Sequence, residues 1–252
     1  MERAVIDDAD TQARRKAMVA EIESEVAATR DWIGKASLEP RVIAALNKVP
    51  RHLFVPPATQ RDAYENRPQP IGHGQTISQP YMVAIMTDMA APKPDSRVLE
   101  VGTGCGYQAA VLAELAERVY TIEVVPELAR AAAARLEALG YDNVDVRVGD
   151  GALGWPEHAP YDAIVVTAAA WHRVPPALIA QLAPGGRLVV PVDRSKAAAR
   201  YPFADQEQDL MVITKNSEGR VTERRVLPVA FVPLIEAENG PEIGAGDAGG
   251  RR

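Results

Sequence analysis

The stretch Arg97-Val-Leu-Glu-Val-Gly-Thr-Gly-Cys-Gly-Tyr107 limits what this chain can fold into more than any other part of it. An apolar, β-branched run enters a loop with glycines at 102, 104 and 106, and an alanine- and leucine-rich helical pattern follows at once. The order is strand, tight loop, helix. Glycine answers two needs there: the chain must turn sharply, and the missing Cβ lets backbone amides come close to a ligand. A nucleotide-like ligand suits such a loop. Glu100 stands two positions before the first glycine, and Glu123 closes the next apolar run, Arg118-Val-Tyr-Thr-Ile-Glu123, where an acid can hold a ribose diol. Dinucleotide-binding chains share the second acid but do not usually carry one directly ahead of the loop. An adenosine-bearing sulfonium ligand is therefore favoured over NAD, with both still open.

The 252 residues suffice for one large α/β domain with a substantial core. Hydrophobic residues at 47% and charged residues at 25% are values of a soluble globular protein. A net charge of -6 with no offsetting basic block argues against nucleic acid as a partner, because phosphate binding needs a concentrated positive surface. The single cysteine, Cys105, excludes an intramolecular disulfide. The segment from Met1 to Asp10 lacks the pattern of a secretion signal, and no apolar run approaches a membrane span. A cytoplasmic, monomeric protein with no membrane partner is expected.

Along the chain, good helix formers from Thr11 to Ile33 carry Val19, Ile22 and Val26 on one stripe. Pro40 opens a second helix, Arg41 to Lys48, which Pro50 stops. In Arg51-His-Leu-Phe-Val-Pro-Pro57 the apolar trio should pack inward while the paired prolines keep the chain extended. Residues 64–74, rich in Pro, Gly, Asn and Gln, read as loop. Ser78, with Pro80 after it, reads as the N-cap of a helix bearing Met82, Ile85, Met86 and Met89. A hydrolase nucleophile at Ser78 is disfavoured, since the turn is not the Gly-x-Ser-x-Gly elbow.

Strand and helix then alternate: helix 107–117, strand to Glu123, helix 126–139 capped by Gly140, and strand 143–148 ending in Gly149-Asp-Gly151. Two more strands, Tyr161 to Thr167 and Arg187 to Pro191, flank a helix over 175–182. This alternation predicts a parallel sheet with helices on both faces, whose ligand crevice lies at the carboxyl ends of the strands; Asp150 there either faces the crevice or belongs to an ordinary turn. Residues 192–208 read as an irregular excursion. Leu210 to Thr214 and Val221 to Leu234, with Asn-Ser-Glu-Gly between them, predict a closing antiparallel hairpin. The glycine-rich stretch from Glu238 onward is expected to be disordered.

Together these segments resemble class I S-adenosylmethionine-dependent methyltransferases, and within them the protein-L-isoaspartate O-methyltransferases. The carriers are Val49-Pro-Arg-His-Leu-Phe-Val55, Ile71-Gly-His-Gly-Gln-Thr-Ile-Ser-Gln-Pro-Tyr-Met82, Val98 to Gln108, Gly149-Asp-Gly151, Tyr161 to Ala169, Gly185 to Pro191 and Phe231-Val-Pro-Leu234. The run from Gln75 to Pro80 is the particular one, since many methyltransferases share the glycine loop. The resemblance implies a Rossmann-like doubly wound α/β sheet finished by the hairpin and preceded by N-terminal helices. It divides the chain into a helical extension at 1–35, a methyltransferase domain at 36–237 and a tail at 238–252.

The same resemblance implies methyl transfer from S-adenosylmethionine to the free carboxylate of isoaspartyl residues in damaged proteins and peptides. Ser78 would be the active-site serine, within a loop Gln75, Thr76, Ile77, Ser78 that closes over cofactor and substrate. Glu100, Gly102 and Gly104 would line the methionine end of the cofactor, Glu123 would take the ribose hydroxyls, and Asp150 with Gly151 would meet the adenine. One departure stands out: Pro191-Val-Asp193 opens a longer excursion where the family has a short link. A carboxylate acceptor is already ionised near neutral pH, so the scattered histidines at 52, 73, 158 and 172 have no assigned role, and no metal is expected. Helix-terminal amides beside Cys105 can lower its pKa, but a small residue tolerated in the loop is favoured over a redox role. The competing readings are a methyltransferase for a small molecule, a non-catalytic cofactor-binding module, and an NAD-dependent oxidoreductase.

Overall fold

The computed structural model describes residues 7–195 and 207–235. The expected tail at 238–252 and most of the excursion after Asp193 lie outside them. Helix α1 (Ala9–Ala28) starts where the Asp8 carboxylate accepts from the Thr11 amide at 2.8 Å, and it buries Met18, Val19, Ile22 and Val26. It is not continuous to Ile33. The Thr29 amide closes α1 on the Glu25 carbonyl, and a short α2 (Arg30–Ile33) ends at Gly34 in a left-handed conformation. Helix α3 (Pro40–Lys48) follows, with Pro40 at its first position.

Two short 3₁₀ turns then run over Arg51–Phe54 and Pro57–Asp62, so the paired prolines start a turn instead of an extended link. Residues 64–74 are likewise not plain loop. Strand β1 (Gln69–Gly72) pairs antiparallel with β2 (Gln75–Ile77) around His73 and Gly74, both at positive φ. Helix α4 (Pro80–Ala90) is capped by Gln79, not by Ser78. The Tyr81 amide is taken by the Asn66 side chain at 2.9 Å, which leaves Ser78 one residue outside the helix.

The sheet proper is β3 (Arg97–Val101), helix α5 (Tyr107–Ala113), β4 (Arg118–Glu123), helix α6 (Pro126–Ala138), β5 (Val144–Val148), β6 (Tyr161–Val166), a two-residue β7 (Ala170–Trp171), helix α7 (Pro176–Gln181), β8 (Leu182–Asp193), β9 (Gln208–Lys215) and β10 (Val221–Val229). Its spatial order is β10-β9-β8-β6-β3-β4-β5, with β7 against β8. The strands from β3 to β8 pair in parallel, and β9 and β10 add the antiparallel hairpin. Strand β8 absorbs Pro184–Gly186 as an irregularity in its pairing with β6. It also continues two residues past Pro191, so the ladder with β9 reaches Asp193↔Gln208.

Alternation along the strands separates two cores. Val98, Ala163, Val165 and Val189 pack under α4, α5 and the N-terminal helices, while Leu99, Val101, Ile164 and Val166 pack on the other face toward α7. The N-terminal helices thus belong to the first core. Among the described residues no helix is long and apolar enough to cross a membrane.

Candidate active site

From β3 the chain winds outward through β4 to β5, then returns to place β6 on the other side of β3. That reversal opens a crevice at the carboxyl ends of β3 and β6, the place where open α/β sheets bind ligands. Here the Thr167 hydroxyl donates to the Gly102 carbonyl at 2.6 Å, and a Cβ on Gly102 would stand 2.4 Å from the Thr167 hydroxyl oxygen. Gly102 also has φ +96, so both space and backbone require glycine. Gly151 closes the other side: a Cβ there would meet Val101 Cγ1 at 2.3 Å.

Glu100 occupies a core position. It alternates with Leu99 and Val101 on β3, is fully buried, and pairs in register with Thr121 on β4. Thr121 donates to its Oε2 at 2.5 Å, the Thr103 and Thr121 hydroxyls are 2.6 Å apart, and Oε1 has no partner. Burial pushes this carboxyl up to about 8, against the smaller lowering by Thr121, and neighbouring Glu123 adds to the rise. Glu123, at the end of β4, accepts from the Gly104 amide at 2.7 Å on one oxygen and from the Val125 amide at 3.0 Å on the other. Each carboxylate oxygen keeps a second lone pair.

These groups line one cleft of about 760 Å³, counting its open mouth. Its walls include Gln75, Thr76, Ile77 and Ser78 from β2 and the link to α4, Glu100, Gly102 and Gly104 from the glycine loop, Glu123 after β4, and Gly151. Asp150 is the predicted residue that does not line it. Its Oδ1 accepts from the Ala152 amide at 2.8 Å, capping the turn that presents Gly151. Cys105 lines the cleft but is buried, and that burial raises its pKa in spite of the helix amide, the reverse of the expected lowering.

A family model described as Protein-L-isoaspartate(D-aspartate) O-methyltransferase (PCMT) matches residues 33–239. This chain belongs to that family. Protein-L-isoaspartate O-methyltransferase 2 of Syntrophobacter fumaroxidans is 56% identical over 228 residues, 90% of this chain and 88% of the relative. Its counterpart from Polaromonas sp. is 58% identical over 217 residues, 86% and 98% of the two chains. Among solved structures, a protein-L-isoaspartate O-methyltransferase superposes with TM-score 0.69 at 25% identity. That match covers 87% of this chain, which spans 65% of the solved one. A structure from Plasmodium falciparum in complex with S-adenosyl-L-homocysteine superposes with TM-score 0.65 at 24% identity over 87% and 97% of the two chains, a likeness of fold.

In this family member the cleft also draws on residues that sequence reasoning passed over. Tyr107 and Gln108 open α5, Thr167 ends β6, and Val232 to Ile235 form a wall of their own. That last segment returns from beyond β10 to the middle of the sheet. The Ala169 amide donates to the Val232 carbonyl and the Leu234 amide to the Ala169 carbonyl, each at 2.8 Å. Thr167 carried a usable signal, since it is the last residue of an apolar strand beside the switch in strand order. Phe231-Val-Pro-Leu234 stood out only as a carrier of the resemblance, and nothing local in it pointed to the cleft.

Proposed function

We propose that this protein transfers a methyl group from S-adenosylmethionine to the free carboxylate of L-isoaspartyl residues in damaged proteins and peptides, the step that begins their repair. The observation that carries this reading is the convergence of the Gln75–Ser78 segment, the glycine loop and Glu123 on one cleft at the carboxyl edge of the sheet, in a chain of this family. The residues suit the cofactor. Gly102, Gly104 and Gly151 line the cleft, where the missing side chains let backbone approach a ligand, and so does Glu100, one of whose buried oxygens has no partner. When bound, the cofactor supplies an electrophilic methyl on a positively charged sulfur.

Glu100, Gly102 and Gly104 would hold its methionine end, Glu123 the ribose hydroxyls, and Asp150 with Gly151 the adenine. Ser78 would orient the acceptor by donating a hydrogen bond to its carboxylate, and Gln75, Thr76 and Ile77 would cover the cofactor. No group need remove a proton, because the acceptor is ionised. Alignment is then the main task, and positioning can contribute about 7 to 11 kcal/mol in favourable cases.

The proposed domain spans 36–237 and is preceded by the 1–35 extension, whose helix α1 packs in the same core as α4. A monomer in the cytoplasm is the accompanying proposal. The exposed charges Glu223, Arg224 and Arg225 on edge strand β10 oppose edge-to-edge pairing. The deciding experiment is methyl incorporation into paired synthetic peptides, one with isoaspartate and one with normal aspartate. Label in the first alone is expected, and label in neither would refute the reading.

A further inference from the structure

Among the described residues the cleft walls contain two acids, Glu100 and Glu123, and no lysine, arginine or histidine. Burial keeps Glu100 largely protonated near pH 7, so an acceptor carboxylate arriving there meets the Glu123 carboxylate and no cation among the described walls, and a water-poor cleft makes like charges costly. A cation lies just behind the wall. Arg51 is fully buried; its Nε donates to the Ala63 carbonyl at 2.7 Å and its Nη2 to the Ser78 carbonyl at 2.8 Å. Its guanidinium carbon sits 4.8 Å from the centre of the Tyr107 ring, a cation over an aromatic face. Tyr107 and Ser78 both line the cleft. Nη1 and the Tyr107 hydroxyl have no close hydrogen-bond partner, but the two side chains interact with each other.

Among the described residues no carboxylate pairs with Arg51. Arg15 is the contrast: it is also buried, but Asp7 meets it through both oxygens at 2.9 and 2.7 Å. The titratable groups facing Arg51 are Tyr107, Cys105 and Tyr64, and burial raises the pKa of each. They are neutral at pH 7 and leave the positive charge uncancelled. Holding a buried cation without a counter-ion costs several kcal/mol, more than a tether between two carbonyls needs.

We propose that Arg51 is a positioning residue whose buried charge, lying behind the Tyr107 and Ser78 wall, supplies the positive field that holds the anionic acceptor in the cleft. The inference rests on the proposed function, in which the acceptor is a carboxylate. The Ser78 carbonyl bond couples the two roles, since the same guanidinium that sets the field also fixes the serine.

The test uses the intact protein with S-adenosylhomocysteine, which lacks the sulfonium charge, so any preference for an anionic peptide comes from the protein. Binding of an isoaspartyl peptide is compared with that of the same peptide carrying a carboxamide in place of the free carboxylate. The wild type is expected to favour the carboxylate by about tenfold or more, the scale of one partly screened charge pair. Arg51→Gln should bring the ratio close to one while S-adenosylhomocysteine affinity is kept, and in turnover with S-adenosylmethionine it should raise the peptide KM; Arg51→Lys should restore most of the preference. A wild type that binds both peptides alike overturns the proposal without any variant having to fold. Equal ratios in wild type and Arg51→Gln, or in the Lys and Gln variants, overturn it too. A protein that methylates isoaspartyl peptide but ignores this charge refutes the role of Arg51 alone, whereas one that methylates no such peptide refutes the function itself.

Discussion

Replacing Glu100 by glutamine tests the electrostatics of the cleft most directly. Its carboxyl titrates at about 8 in the folded protein against 4.5 for the ordinary side chain. Between those values the folded state binds a proton that the unfolded state has released, so stability falls as pH rises through that window. At 1.36 kcal/mol per pH unit the full difference is on the order of 5 kcal/mol. Glu100→Gln removes the titration, so its stability should gain on the wild type steadily from about pH 5 to pH 8 in denaturant melts. The same proton reports on the cofactor. A cationic amino group placed beside Glu100 favours the ionised form, and binding near pH 7 should expel the proton. Calorimetric titration with S-adenosylhomocysteine, repeated in buffers of different ionisation enthalpy, counts it: wild type and Glu100→Gln should differ by about one proton released. Identical buffer dependence in the two proteins, or parallel stability profiles across that pH range, would refute a protonated Glu100 at the methionine end.

Other substitutions probe the remaining walls. Ser78→Ala should lower kcat for isoaspartyl peptide with the S-adenosylhomocysteine dissociation constant nearly unchanged, and undiminished turnover would remove the serine from the reaction. Glu123→Ala should weaken cofactor binding by about 1.5 to 3 kcal/mol, the range for hydrogen bonds to a charged group, as read by calorimetry. Gly102→Ala forces a side chain into φ +96 and against Thr167. A loss of about 2 kcal/mol or more in a urea melt is expected from strain and overpacking together. Unaltered stability would mean that the glycine loop can move aside.

The central sheet was legible because most of its apolar runs are followed by a helical pattern or a glycine turn, and the hairpin that closes it carries Asn-Ser-Glu-Gly in the expected place. The site was harder to read. Arg51 looks like a surface residue in sequence, since arginine is rarely buried, and only the fold reveals that aromatic and carbonyl groups enclose it. The hairpin of β1 and β2 hides in Pro- and Gly-rich composition, because a three-residue strand shows too little alternation to register. Ser78 met every local rule for an N-cap, yet Asn66, twelve residues upstream in sequence, supplies the cap from a distance. A tertiary contact outcompeted the local one and left the serine to face the cleft. The run from Val221 to Leu234 read as one strand, but pairing with β9 ends at Val229, and the residues beyond Val229 leave the sheet edge to become a wall.

That departure has a bearing on synthesis. The glycine loop emerges from the ribosome well over a hundred residues before Val232 to Ile235, and every parallel strand can find its neighbour before that late segment exists. A nascent chain can therefore build most of its sheet while its cleft still lacks one side. Competence to turn over cofactor would then arrive only once Val232 and Leu234 have been made and latch onto Ala169.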